Sequence, residues 1–233
     1  MQQFDYKEIY EEDGRRILEI NILPEKYCNF DCIFCPIGRS RHKTDTPVSF
    51  GEIDACLDGL LQKIEKEKPD LVFINSKGEA LVHEKLAEII TSIKGSGVPV
   101  RLLSNGYLYG REEYMRLADM CEEVIGELKV ITQDDFKKVQ RPVEGYTLES
   151  YIEGMAHFQR QYQGTFILEV TIIKGYNDDD WSVQKLKNAI DRIAPDKTLI
   201  EKIDDKRFEK KLGVTEQKLR EIAGVLISCD SDL

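Results

Sequence analysis

Three cysteines fall within a single short run, Cys28-Asn-Phe-Asp-Cys32-Ile-Phe34-Cys35-Pro36, while Cys56, Cys121 and Cys229 stand alone. Clustered thiolates either pair as disulfides, hold metal or do redox work. Residues 1–16 hold no apolar run behind a basic start, no apolar stretch approaches the roughly 20 residues of a bilayer span, and the net charge is −10. A soluble, cytoplasmic and reducing setting is therefore expected, which favours metal or redox chemistry. Three close thiolates are one short of a closed tetrahedral zinc site, and His42 is the only histidine near them in sequence. The same spacing wraps three corners of a cubane iron–sulfur cluster and leaves the fourth iron open to a ligand, unlike an electron carrier held by four cysteines. An enzyme using such an open iron, an iron–sulfur electron-transfer or sensing protein, and a zinc module are the three readings.

The elements that must position this loop alternate strand and helix. Residues 17–23 form an apolar run stopped by Pro24, and the cysteines follow directly. Further strands are expected over 71–75, 98–103, 124–131, 165–173 and 198–203, with a glycine interrupting the fourth. Helices are expected over 50–67 (with Ser49 as N-cap), 85–94, 111–121, 148–162, 181–193 and 215–227. Six strands interleaved with helices are βαβ units and hence a parallel sheet. A complete eight-fold barrel needs about 250 residues, so an α/β incomplete (β/α)6 parallel barrel suits 233 residues better. Residues 1–203 form that unit, and 204–233 a C-terminal extension with one helix and a disordered tail carrying Cys229. Chemistry belongs at the strand C-terminal ends, where the cysteine loop, Gly78-Glu79-Ala80, Ser104-Asn105-Gly106, Lys129 and Lys174-Gly175-Tyr176-Asn177 all fall.

The cysteine run after the first strand resembles the signature loop of the radical S-adenosylmethionine (radical SAM) superfamily. That resemblance implies a four-iron four-sulfur cluster on Cys28, Cys32 and Cys35 and S-adenosylmethionine on the open iron. It further implies one-electron cleavage to a 5′-deoxyadenosyl radical and hydrogen abstraction from a substrate, with an external donor such as flavodoxin or ferredoxin. It places Phe34 against the adenine, Gly78 and Glu79 at the methionyl amine with Ala80 in place of the family's proline, and Ser104 and Asn105 in the turn after the third strand. Cys35-Pro36-Ile37-Gly38-Arg39, Arg141-Pro142, Leu168-Glu169-Val170 and Lys174-Gly175-Tyr176-Asn177-Asp178 resemble the wyosine-synthase-like group. Glu127-Leu128-Lys129 is similar to an Asp-x-Lys element of the glycyl-radical-enzyme activases, placing Lys129 beside the cofactor.

Other polar residues divide between site and scaffold. Glu169 shares the phase of Ile167, Thr171 and Ile173 and is expected to face the barrel interior, as a buried charge that needs a partner or ligand. His42, in the basic run 39–43, either holds an anionic substrate group or lies on a solvated loop. His83 and His157 are expected at a helix start or surface, and Cys56 and Cys121 in the core. An acidic chain with no cysteine before Cys28 is expected to leave tRNA alone; a small molecule, peptide or protein over the strand ends fits it better.

Overall fold

The computed structural model describes residues 3–227. Its strands are β1 (Asp5–Tyr6), β2 (Tyr10–Glu12), β3 (Arg15–Asn21), β4 (Tyr27–Cys28), β5 (His42–Lys43), β6 (Leu71–Ile74), β7 (Val100–Leu103), β8 (Glu123–Leu128), β9 (Thr165–Ile172) and β10 (Lys197–Lys202). The helices are α1 (Asp54–Glu67), α2 (Leu86–Gly95), α3 (Glu112–Ala118), α4 (Gln133–Asp135), α5 (Leu148–Gln159), α6 (Asp180–Ile193), α7 (Glu209–Leu212) and α8 (Glu216–Ile227). Strands β3, β6, β7, β8, β9 and β10 lie in that order and pair in parallel. This is the incomplete (β/α)6 barrel expected from the alternation, with the sheet path ending at β10 rather than closing on β3. Among the described residues no helix is long and apolar enough to cross a membrane.

Strand register sorts the side chains into two faces. Ile17, Leu71, Phe73, Ile125 and Ile167 form a cluster of their own inside the sheet's curve, stacked as a layer of the barrel interior. The opposite face, with Leu18, Val72, Leu102, Val124 and Leu168, joins the helices in the main core. Gly126, in the middle of β8, marks a close approach: a Cβ there would lie 2.9 Å from the Phe166 ring and 3.2 Å from Met155 Sδ. Below the apolar layer, Arg101 is 4% exposed. It bonds Glu123 at 2.6 Å and Glu12 at 2.5 Å, with Arg15 on the other side of Glu123.

Several details differ from expectation, each for a local reason. The N-terminus adds an antiparallel hairpin to the edge of β3. Asp13 and Gly14, both at positive φ (52° and 74°), make its turn, the Asp-Gly pair that favours type I′ geometry. Helix α1 starts at Asp54 with Ile53 as cap, so Ser49 is no N-cap. The chain at Val48 is already spent on pairing with the segment around His83, through Val48 N to Val82 O (2.7 Å) and Glu84 N to Val48 O (3.0 Å). His83 is consequently buried, not superficial, beside the Phe50 ring (5.1 Å); burial holds its imidazole down at about 4. Cys56 and Cys121 are core residues. The C-terminal extension carries two helices rather than one, and Ile222 and Leu226 of α8 join the barrel's main core. The tail and Cys229 lie outside the described residues.

Arg101 tests the barrel floor. Arg101→Met removes the cation between two carboxylates and is expected to lower unfolding stability in urea by about 2–3 kcal/mol, below the full cost of a broken buried pair because Arg15 remains. Arg116→Ala, which breaks an exposed pair on α3, should cost at most about 0.5 kcal/mol. Equal losses would show that the floor is not held by this network.

Candidate functional site

The cysteine loop leaves the barrel at the C-terminal end of β3 and returns through the two-stranded β4–β5 ribbon. It has little regular structure, so its main-chain groups are satisfied from outside. Asp31 N donates to Gln140 O (3.0 Å), Ile33 N to Val139 O (2.9 Å), and Val143 N to Asn29 O (2.9 Å). Val139 and Gln140 end a π-helical turn, Phe136–Gln140, closed by Arg141 at φ 48°. Asp31 in turn receives Ser40 N (2.8 Å) and pairs with Arg39 (2.6 Å).

On its inner side the loop meets the ends of β6 and β7. Tyr27 O accepts the N–H of Glu79 at 2.8 Å. Gly78, at φ 149°, passes so close that a Cβ would sit 2.0 Å from that same oxygen. Glu79 is fully buried, and its carboxylate accepts from Leu81 N (3.1 Å), Ser104 Oγ (3.0 Å) and Asn105 N (3.0 Å). Burial pushes its carboxyl up to about 7 in spite of those donors. Asn105 continues the chain of contacts, with its amide 2.6 Å from Asn29 Oδ1 and 3.9 Å from Cys28 Sγ.

Cys28, Cys32 and Cys35 open on one cavity of about 680 Å³, with Phe34, Gly78, Asn105 and Lys129 also in its wall. That size is in the ordinary range for a small-molecule or cofactor site. Lys129 is held by Glu127 at 2.6 Å and lies over the Phe34 ring at 5.4 Å. Its ammonium is raised above its ordinary value, the Glu127, Cys32 and Glu169 charges outweighing burial. Glu169 is level with Glu127 across the β8–β9 pair and on the inner face with Ile167. Burial, then the Glu127 carboxylate, pushes it up to about 7.

Of the residues singled out in sequence, Cys28, Cys32, Phe34, Cys35, Gly78, Asn105 and Lys129 meet at the cavity; Glu79, Ser104 and Glu169 do not line it. Glu79 and Ser104 face each other behind the wall and hold it. His42 stacks on Tyr27 (4.4 Å) and approaches Glu25 (3.3 Å), and His157 stays on the surface of α5. Lys26 and the N-terminal residues Asp5, Tyr6 and Lys7, which also line the cavity, were not anticipated. The Asp-Gly turn is the sequence signal that would have brought the N-terminal strands there.

The donor set fits an iron–sulfur cluster. Three thiols of one loop share the cavity. Phe30 N–H (3.4 Å) and the Asn105 amide point at the Cys28 sulfur, the kind of second contact that supports a thiolate ligand. Among the described residues no three His, Cys, Asp or Glu side chains converge as a single metal ion requires; a cubane binds each thiolate to a different iron and needs no common centre.

A family model described as the radical SAM superfamily matches residues 22–186. The chain belongs to this superfamily. A UPF0026 protein of Helicobacter pylori is 30% identical over 172 residues, covering 69% of this chain and 53% of that protein. One of Methanocaldococcus jannaschii is 25% identical over 185 residues, covering 77% and 57%. GTPase Obg of Brachyspira hyodysenteriae is 25% identical over 182 residues, covering 77% of this chain and 27% of its own. The chain thus spans little more than half of the UPF0026 relatives and about a quarter of the GTPase. Among solved structures, TYW1 with a lysine–pyruvate adduct bound superposes with a TM-score of 0.69 at 17% identity, over 90% of this chain and 72% of that one. A radical SAM methyltransferase from Sphaerobacter thermophilus gives 0.65 at 12%, over 94% and 65%. These likenesses are of fold. Members of the superfamily bind a four-iron four-sulfur cluster and S-adenosylmethionine.

Two carboxyls, the buried Glu79 and the half-buried Glu169, give this radical SAM protein a pH signature. Glu79 and Glu169 take up protons more readily folded than unfolded, between about 7 and the ordinary 4.5. Their contribution to stability is therefore greatest below about pH 4.5 and is lost as pH rises through about 7. Glu79→Gln is expected to flatten part of this slope in thermal melts of the metal-free protein; a slope identical to wild type would mean that Glu79 is charged throughout.

Proposed function

We propose that this radical SAM enzyme holds a four-iron four-sulfur cluster on Cys28, Cys32 and Cys35 and binds S-adenosylmethionine in the adjoining cavity. Its substrate is a small molecule, peptide or protein presented over the strand ends. The observation that carries this reading is the meeting of three thiols and the bare main chain of Gly78 on one cavity wall. When bound and reduced by a one-electron donor such as flavodoxin or ferredoxin, cluster and cofactor together supply a carbon radical able to abstract hydrogen.

The chain's own residues bind and orient. The three thiolates leave one iron without a protein ligand. Gly78, lacking a side chain, offers main-chain polar groups to the methionyl amine. Phe34 supplies an aromatic and main-chain surface for the adenine. Lys129, its charge fixed by Glu127, sits over that ring and meets the polar part of the cofactor. Asn105 closes the wall beside Cys28. Glu79 and Ser104 act on the cofactor only through Gly78 and Asn105, and Glu169 stands farther in, toward the substrate side of the barrel.

Substituting Ala for any of Cys28, Cys32 or Cys35 is expected to abolish cluster content after anaerobic reconstitution, and substituting Cys56 or Cys121 to leave it intact. The reduced wild type should form 5′-deoxyadenosine slowly without substrate. A full cluster in Cys32→Ala would refute the ligand set, and an intact cluster that never yields 5′-deoxyadenosine would favour simple electron transfer.

Although one structural neighbour is TYW1, tRNA is not the proposed substrate. A net charge of −10 opposes the several phosphate contacts that tight binding needs. Gel-shift titration with total tRNA at physiological salt should show no tight complex; salt-sensitive binding with a modified guanosine in the digest would overturn this.

A further inference from the structure

Four lysines line the cavity: Lys7, Lys26, Lys77 and Lys129. Three of them face carboxylates. Lys7 meets Glu19 at 2.6 Å, Lys129 meets Glu127 at 2.6 Å, and Lys77 meets Asp5. Lys26 differs. Among the described residues its ammonium donates only to a neutral main-chain oxygen, Gly38 O at 2.5 Å, and no carboxylate pairs with it. It is also buried, at 8% exposed. An ammonium taken out of water without an anion is costly, so a side chain kept there signals an anion that arrives.

The surroundings say which anion. Lys26 opens the segment that carries the cysteines, and its acceptor Gly38 closes it, with Gly38 N bonded to Cys35 O at 3.0 Å. Its side chain lines the same cavity wall as Cys28, Cys32 and Cys35. No other lysine of the cavity wall combines that position with the lack of a carboxylate.

We infer that Lys26 is a positioning residue for the cluster: a built-in counter-charge to the cluster's three thiolates. The inference rests on the cluster proposed above. One-electron reduction adds a negative charge to a centre that already carries its thiolates' charge, and net charge is one of the terms that set the potential of such clusters. A fixed ammonium therefore favours the reduced form, with the electron coming from the external donor and no proton or bond exchanged at Lys26. The Gly38 contact adds precision, since it ties the ammonium to the loop itself rather than to the barrel.

The test is the midpoint potential of the reconstituted cluster, followed by electron paramagnetic resonance during redox titration without S-adenosylmethionine. Lys26→Met keeps the length of the side chain and removes its charge. It should bind the same amount of iron as wild type and be harder to reduce by about tenfold in the equilibrium, which is 59 mV for one electron. Lys26→Arg should stay within a third of that shift. An unchanged potential in Lys26→Met with a full cluster would overturn the inference. So would weakened S-adenosylmethionine binding with no shift in its absence, because Lys26 would then serve the cofactor. Loss of cluster from both variants would also overturn it, as the residue would be structural. Failure of the wild type to take up any cluster would instead refute the proposed function.

Discussion

The Tyr27 carbonyl is the point on which the site's geometry hangs. It accepts the Glu79 N–H at 2.8 Å, and its closeness forbids any side chain at position 78. Two strand ends separated by some fifty residues of chain are thereby fixed against one another within a van der Waals contact. The Glu79 carboxylate extends the lock to a third strand end through Ser104 and Asn105, and Asn105 returns to Asn29 beside the first cysteine. A fully buried carboxyl is costly, and three donors offset that cost. The result is a wall behind the thiols in which Gly78 and Asn105 face the cavity and Tyr27, Asn29, Glu79 and Ser104 hold them from behind.

The other side of the loop is held by main chain. Asn29, Asp31 and Ile33 spend their polar groups on residues 139–143, so the π-helical turn there serves as a splint. In the cavity between these two supports three of the four lysines face a carboxylate, and the fourth, Lys26, lies next to the cysteines. Charge in this protein is placed locally: the floor of the barrel is closed by Arg101 between Glu12 and Glu123, while the mouth pairs Lys129 with Glu127.

Local patterns made the scaffold legible. The apolar runs that became β6, β7 and β9 could hardly be anything but buried strands, and the cysteine spacing was informative without any contact information. Boundaries slipped where long-range contacts intervened. The Val48–His83 pairing delayed α1 and buried a histidine that looks superficial in sequence. The family resemblance assigns Glu79 to the methionyl amine, but its carboxylate turns behind the wall to accept from Ser104 and Asn105, on another strand end. Lys26 gave no signal at all, since its burial and lack of an anion exist only once Gly38 folds back over it. The Asp13–Gly14 turn was available and would have predicted the N-terminal hairpin.

The central claim is that the three cysteines leave an iron open and that S-adenosylmethionine binds it. The most direct measurement is the hyperfine spectrum of the reduced protein with S-adenosylmethionine carrying a magnetic isotope at its amino nitrogen. The account predicts a coupling from that nitrogen to the cluster, absent in samples without the cofactor. A reduced cluster whose spectrum is unchanged by the cofactor, with no nitrogen coupling, would contradict it.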